Sequence, residues 1–178
     1  MLLYILYAVV ALIVIALGVA ATRPGSFRIE RSTRVGVTPD RVAAHINDFH
    51  RWAAWSPWEQ LDPQLERSFS GAPSGKGAIY EWRGNKKVGS GRMEITDITP
   101  AATTIKLDFI APFEAHNIAE FQMLPEGSGT QVTWAMHGAS PFVMRVFGLF
   151  FNMDKTVGGD FERGLANLKQ VSEAAPTS

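Results

Sequence analysis

Residues 88–138, VGSGRMEITDITPAATTIKLDFIAPFEAHNIAEFQMLPEGSGTQVTWAMHG, contain four runs in which apolar and polar side chains alternate. Alternation with a period of two is typical of β-strands that bury one face. The connecting segments are short, and none is long enough to hold a helix. The stretch therefore predicts an antiparallel meander. Its strands are Val88–Ile98, Thr103–Ile110, Ala115–Leu124 and Thr130–Gly138.

The flanking sequence adds further elements on both sides of this meander. Before it we predict a first strand over Phe27–Val37, two short helices between Thr38 and Pro63, and strands at Leu65–Ser70 and Ala78–Arg83. Beyond Pro141 the apolar period becomes helical. One long C-terminal helix is predicted, with Phe147, Phe151, Phe161, Leu165 and Leu168 on one face.

This order of elements predicts an α+β fold. A curved antiparallel sheet of about seven strands has one apolar face to bury, and the C-terminal helix is the large element available to cover it. A sheet wrapped around a helix leaves a central groove or cavity.

The chain resembles a known family in the run INDFHRWAAWSPWE at residues 46–59, taken together with this element order. Residues 77–85 (GAIYEWRGN), 129–134 (GTQVTW), 152–154 (NMD) and 159–162 (GDFE) extend the resemblance. The chain looks like a member of the SRPBCC superfamily, in its polyketide cyclase/dehydrase-like bacterial branch, over about residues 27–171. The resemblance implies a START-like helix-grip fold with a hydrophobic cavity. It implies less about chemistry, because the superfamily includes lipid carriers, ligand sensors and cyclases.

The N-terminus carries an apolar run of twenty residues, Leu2–Ala21, without a charged side chain. At 1.5 Å per residue such a helix spans about 30 Å, the thickness of the hydrocarbon core of a bilayer. A secretory signal cleaved before Thr22 is the alternative, but the run lacks a basic n-region and exceeds the usual apolar length. We predict a transmembrane anchor at 1–22, a linker at 23–26, a START-like domain at 27–174 and a frayed tail at 175–178.

Basic residues follow the predicted span and none precedes it. The positive-inside rule therefore places the soluble domain of this single-pass membrane protein in the cytoplasm. The basic residues are Arg23, Arg28, Arg31 and Arg34.

Charge and composition narrow the function classes. The 17 basic and 17 acidic residues balance, which argues against a nucleic-acid partner. The absence of cysteine excludes disulfides, thiol catalysis and thiolate metal sites. The histidines show no metal-ligand spacing, since His45 and His50 do not share one helix face. We predict no cofactor and no metal site.

Strand alternation predicts the lining of the cavity. The residues expected on the concave face are mostly apolar or aromatic, which favours a hydrophobic small molecule or lipid as ligand. A solid core filled by the same side chains is the alternative. Asn117 would orient the ligand by hydrogen bonds. The predicted ligand-binding residues are Tyr80, Trp82, Phe109, Asn117, Phe121 and Trp134.

Asp154 is the candidate catalytic residue. It lies between Phe151 and Phe161 in the register of the apolar helix face, where burial would raise its pKa. A buried acid facing a cavity can serve as general acid or base in a cyclisation or dehydration. The alternative is a structural ion pair with an arginine.

Two aromatic segments have alternative interpretations. Trp52, Trp55 and Trp58 form a mouth over the cavity, a surface at the membrane interface, or a packing plug beneath a loop. Residues 142–153 are too short to span a bilayer, so they either rest on its surface or form the buried start of the C-terminal helix.

Three functions remain open at this point. The residues favour a membrane-anchored binding protein for a hydrophobic molecule. A cyclase/dehydrase-type enzyme using Asp154 and a ligandless envelope scaffold are the alternatives, and the sequence does not decide whether any reaction is catalysed.

Overall fold

Seven strands form one antiparallel sheet in the computed structural model, which describes residues 1–174. The order across the sheet is β1-β7-β6-β5-β4-β3-β2, so every strand from β2 to β7 pairs with its neighbour in sequence and β1 pairs with β7. The predicted meander is confirmed. The strands are β1 (Ser26–Val35), β2 (Glu66–Gly71), β3 (Ala78–Arg83), β4 (Ser90–Thr99), β5 (Ala102–Ala111), β6 (Ala115–Glu126) and β7 (Gly129–Ala139). The tail predicted at 175–178 lies outside the described residues.

Five helical segments accompany the sheet within residues 1–174. They are α1 (Leu2–Thr22), α2 (Pro39–Ile46), a 3₁₀ helix (Phe49–Ala54), α3 (Phe142–Phe147) and α4 (Met153–Glu173). Helix α4 covers the concave face of the sheet. The ring of Phe161 on α4 stacks on Trp134, with centroids 4.3 Å apart, and Trp134 stacks on Phe121 at 4.8 Å. This aromatic column joins the helix to β7 and β6, as expected for a helix-grip fold.

We predicted one continuous C-terminal helix, but the structure has two helices with a break between them. Helix α3 ends at Phe147, and α4 begins at Met153. The backbone of Asn152 is extended, and its side-chain oxygen accepts a hydrogen bond from the Lys155 amide at 2.9 Å. Asparagine is a strong helix N-cap, so a new helix starts there. The apolar face inferred from Phe147 and Phe151 therefore does not continue into α4, and both side chains are exposed.

The two ends of the sheet carry different elements. We call one end the α1 end, because β1 begins there four residues after α1. Antiparallel pairing places the start of β1, the end of β7, the β5–β6 connection and the β3–β4 connection at this same end. The opposite end carries the β2–β3, β4–β5 and β6–β7 turns.

Helix α1 is exposed along almost its whole length. Among the described residues, it is the helix that is long and apolar enough to cross a membrane. Its last turn contacts the segment around α3, where Arg145 Nη1 donates to the carbonyl oxygen of Ala21 at 3.3 Å. The described chain thus places α3 beside the exit of α1.

Candidate functional site

A cavity of about 270 Å³ lies between the concave face of the sheet, α4 and the segment that follows the 3₁₀ helix. The sheet contributes Tyr80, Trp82, Met93, Phe109, Ala119 and Trp134, and α4 contributes Val157 and Phe161. Trp58 and Glu59 close it from the segment before β2. The cavity lies over β3, β4 and β5, whereas α4 makes most of its contacts with the sheet at β1 and β7.

Four of the six predicted binding residues lie at the wall of this cavity: Tyr80, Trp82, Phe109 and Trp134. Their positions follow from strand alternation, since each points to the face that α4 covers. The indole nitrogen of Trp82 donates to the carbonyl oxygen of Val88 at 3.3 Å, which orients its ring at the wall. Phe109 packs edge-on against that ring, with centroids 5.8 Å apart.

The other two predicted residues do not line the cavity, and this part of the site prediction needs correction. Phe121 lies on the concave face but is completely covered by Trp52, Trp55 and Trp134. Asn117 is buried against Gly138 of β7, where a side chain would collide with the Asn117 amide. Alternation places both residues on the correct face, but tryptophan rings cover Phe121, and Asn117 is buried against the backbone of β7.

The tryptophan cluster is a packing plug that also supplies part of the wall. Trp52 and Trp55 are buried, and their indole nitrogens donate to the carbonyl oxygens of Ile46 at 2.9 Å and His45 at 3.3 Å. These bonds attach the segment to the end of α2. Trp52 and Trp58 both contact the cavity, so this packed cluster also forms part of the cavity wall.

Glu59 is the functional candidate that sequence reasoning missed. Its side chain is 7% exposed and borders the cavity. One carboxylate oxygen accepts a hydrogen bond from the Tyr80 hydroxyl at 2.6 Å, and the other accepts one from Arg67 Nε at 2.6 Å. Arg67 also donates to the Glu59 carbonyl oxygen at 3.2 Å. The signal in the sequence was its position, because Glu59 directly follows Trp58 in a segment rich in tryptophan. An acid that is buried among aromatic side chains needs hydrogen-bond or ionic partners.

Burial and the contact with Glu59 both favour the protonated form of Tyr80. Burial of the phenol raises its pKa, and the hydrogen bond to the Glu59 carboxylate raises it further. Tyr80 is therefore a hydrogen-bond donor throughout the physiological range. The carboxylate has a partner on each oxygen, so the wall presents a paired charge rather than a free one.

The expectation for Asp154 is wrong in its location and in its pKa. Its side chain is 63% exposed and pairs with Arg31 at 3.1 Å, outside the cavity. Hydrogen bonds from Arg31 lower the pKa of this carboxyl instead of raising it. Arg31 also binds Glu162 at 2.8 Å, so this arginine of β1 pairs with two acidic side chains of α4. Asp154 is in the register of the buried Phe161 and Leu165, but it lies in the first turn of α4, where the side chain is exposed and meets Arg31.

The histidines lie away from the cavity wall. His116 Nδ1 lies 2.7 Å from Asp108 on the outer face, and His50 Nδ1 lies 3.0 Å from Asp48. Within residues 1–174, no group of three histidine or acidic side chains is placed to hold a metal ion.

Comparison with known proteins assigns the fold independently. Residues 26–173 match the family described as polyketide cyclase / dehydrase and lipid transport. No curated protein matches the chain.

Three solved structures illustrate the likeness. Protein CV1439 from Chromobacterium violaceum has a TM-score of 0.59 at 14% identity, and the match covers 86% of this chain and 100% of that one. The di-domain ARO/CYC BexL from the BE-7585A biosynthetic pathway gives 0.63 at 11% identity, covering 90% of this chain and 54% of BexL. The di-domain ARO/CYC StfQ from the steffimycin biosynthetic pathway gives 0.61 at 10% identity, with 83% and 51% covered.

This chain spans about half of the length of each di-domain protein, and at these identities the likeness concerns the fold alone. The family match covers most of the chain and coincides with the sheet, the cavity and α4. The chain therefore belongs to the SRPBCC-type family of polyketide cyclases/dehydrases and lipid transport proteins.

Proposed function

We propose that this protein is a membrane-anchored binding protein for an apolar small molecule or a lipid chain, held in the cavity between the sheet and α4. The observation that carries the proposal is a cavity whose walls are mainly aromatic and aliphatic. Burying an apolar ligand against such walls is favoured by about 25 cal/mol for each Å² removed from water.

The size of the cavity limits the ligand. At about 270 Å³ it lies at the lower limit of ligand pockets, which commonly hold roughly 300–1,000 Å³. A compact ring system or one end of an elongated chain fits this volume better than a whole two-chain lipid. The Tyr80 hydroxyl and the paired Glu59 carboxylate supply a polar contact at one wall.

Binding has more support than catalysis. Asp154, the acid expected to act in a cyclisation, lies outside the cavity. Glu59 borders the cavity, but both of its oxygens already accept hydrogen bonds from Tyr80 and Arg67. A general base needs an oxygen within reach of the substrate proton. No contact in the described residues singles out such an oxygen, so we do not propose a reaction.

The apolar α1 helix supports a membrane location. Twenty-one helical residues extend about 31 Å at 1.5 Å per residue, enough to span a bilayer. A membrane concentrates apolar molecules, so an anchor at this position would keep the cavity close to its ligand.

Native mass spectrometry of the full-length chain, released from lipid nanodiscs prepared with the membrane extract of the expression host, tests the proposal. We expect a discrete apolar mass bound to the wild-type chain. Ala119→Met should remove this mass, because Ala119 lies at the cavity wall and a longer side chain would fill the space. Gln122→Met is the matched control, since Gln122 is exposed on the outer face of the same strand.

The proposal fails if the wild-type chain is released without any bound molecule after exposure to the extract. It also fails if Ala119→Met retains the same mass as Gln122→Met. Tryptophan fluorescence checks that each variant is folded, because all 5 tryptophans lie beyond α1.

A further inference from the structure

The segment containing α3 exposes a cluster of large apolar side chains. Phe142, Val143, Phe147, Phe150 and Phe151 are all exposed, and Phe150 is 82% accessible. We call residues 142–151 the aromatic segment. Contiguous exposed apolar surface on a protein marks a contact with a partner or a membrane.

Hydrogen bonds hold the aromatic segment at the exit of α1. Arg145 Nη1 donates to the carbonyl oxygen of Arg23 at 3.0 Å as well as to that of Ala21. In the other direction, Arg23 Nη1 donates to the carbonyl oxygen of Gly148 at 2.7 Å. Two arginines therefore lie between the end of the apolar helix and the aromatic segment. If α1 spans a bilayer, this segment lies at the level of the lipid headgroups.

The end of β5 and the β5–β6 connection add apolar surface at the same end of the sheet. Ile110 and Phe113 are 64% and 69% exposed there. The β3–β4 connection, also at the α1 end, exposes Lys86 and Lys87. Neighbouring strands lie about 4.8 Å apart, so these connections and the aromatic segment form a row across one end of the domain. Glu114 is the acidic residue next to Phe113 in this row.

The cavity also reaches the α1 end. Lys87 and Val88 of the β3–β4 connection and Phe109 near the end of β5 belong to its wall. At the opposite end the β6–β7 turn is polar, with Glu126 and Ser128 exposed. The apolar surface and this end of the cavity therefore face the same way as the exit of α1.

We propose that the aromatic segment, together with Ile110 and Phe113, lies in the interface of the bilayer leaflet from which α1 emerges, and that this contact holds the Lys87 side of the cavity against the leaflet. The occupant of the exposed surface is the lipid surface itself. Apolar side chains in such positions insert roughly 5–10 Å into the boundary between headgroups and acyl chains. Arg23, Arg145 and the two lysines suit the phosphate level. This inference rests on the membrane anchor of the proposed function but not on the identity of the cavity ligand.

Depth-dependent fluorescence quenching tests the inference on the full-length chain. The protein has no cysteine, so single cysteines can carry an environment-sensitive NBD label without further substitutions. The sites are Phe150→Cys in the aromatic segment, Lys87→Cys beside the cavity, Ser128→Cys at the opposite end as control and Ile13→Cys in α1. All four side chains are exposed, so their replacement should not disturb folding. Each variant is reconstituted into phosphatidylcholine vesicles with doxyl groups at a shallow or a deep acyl position.

We expect shallow doxyl lipid to quench the labels at positions 150 and 87, and deep doxyl lipid to quench the label at position 13. The label at Ser128→Cys should show no quenching. The docking is overturned if the label at Phe150→Cys is as unquenched as the label at Ser128→Cys while the label at Ile13→Cys is quenched. The aromatic segment would then be a contact surface for a protein partner. An unquenched Ile13→Cys would instead remove the anchor on which the inference rests. Neither result alters the test of ligand binding in the cavity.

Discussion

His45 and His116 lie in opposite electrostatic environments. Burial lowers the pKa of His45, and the positive charges of Arg51 and Arg41 lower it further. The hydrogen bond with Asp108 raises the pKa of the exposed His116. Proton linkage therefore gives the two histidines opposite effects on stability as the pH falls.

For His45 the folded state binds its proton less readily than the unfolded state does. Its contribution to stability is present above the unfolded pKa of about 6.5 and is lost as the pH falls below that value. His116 behaves in the reverse way, since its raised pKa contributes stability that is present below about pH 6.5 and is lost as the pH rises through the folded pKa.

We therefore expect His45→Gln to reduce the loss of thermal stability between about pH 7.5 and about pH 5.5, and His116→Gln to increase it. The measurement is the melting temperature of the full-length chain in nanodiscs, followed by tryptophan fluorescence. The other titratable groups are shared by all three proteins, so they do not account for a difference between the slopes. Equal pH slopes for the wild-type chain and both variants would contradict the assignment.

Glu59, and not Asp154, is the acid that borders the cavity. A glutamate and a tyrosine that are 21 residues apart in sequence form a 2.6 Å hydrogen bond at the cavity wall. Asp154, which has the sequence context of a buried acid, is solvated and paired with Arg31. Partners, rather than local sequence, determine which acid belongs to the site.

At the scale of elements, α4 is fitted to the sheet by glycine. A Cβ atom at Gly164 would lie 2.7 Å from the ring of Trp134 and 3.0 Å from Pro57. A Cβ atom at Gly159, on the same helix, would meet nothing within 4 Å. The missing side chain at Gly164 lets α4 approach Trp134 at the cavity wall.

The two glycines should respond oppositely to alanine. Gly164→Ala adds volume against a buried ring and should lower the free energy of unfolding by about 1–3 kcal/mol. Gly159→Ala should raise it by about 0.5–1 kcal/mol, because alanine is the better helix former. Thermal unfolding of both variants in nanodiscs measures the difference. Stabilisation by Gly164→Ala would show that α4 is not packed as closely as described.

The helix break at residues 148–152 is also decided at this scale. Helical periodicity predicts an apolar face but does not show whether the helix is interrupted. Asn152 is the residue that signals the interruption, through its hydrogen bond to the Lys155 amide. Once α3 and α4 are separate, the phenylalanines before the break are free to face another environment.

At the scale of the whole molecule, the proposed orientation in the membrane depends on few charges. Arg28, Arg31 and Arg34 follow α1, but they belong to β1 and pair with acidic side chains of the folded domain. Arg23 remains beside the span, joined to the backbone of Gly148. The positive-inside bias therefore comes mainly from Arg23.

We expect the domain to lie in the cytoplasm. Ser128→Cys in the full-length chain, expressed in bacteria, should react with a membrane-impermeant maleimide in inside-out vesicles and remain unlabelled in intact spheroplasts. Labelling in intact spheroplasts would reverse the orientation. The intact mass of the membrane-extracted protein is the accompanying control, because a cleaved signal would remove the residues before Thr22.

The sequence by itself determined the strands, their pairing and their faces. A period of two marks which side chains of a strand share a face, and short turns force neighbouring strands to pair, so the confirmed meander and the cavity-wall positions of Tyr80, Trp82, Phe109 and Trp134 follow from local pattern. The apolar composition of α1 is equally local.

Only the tertiary structure decided what stands in front of each face. Phe121 is covered by tryptophans from another segment, Asn117 by a neighbouring strand, and Glu59 acquires Tyr80 and Arg67 as partners. The arrangement of α1, the aromatic segment and the cavity at one end of the sheet likewise depends on strand pairing. The physical reason is that periodicity describes the direction of a side chain along its own element, whereas burial, pairing and open volume depend on atoms contributed by residues far away in the chain.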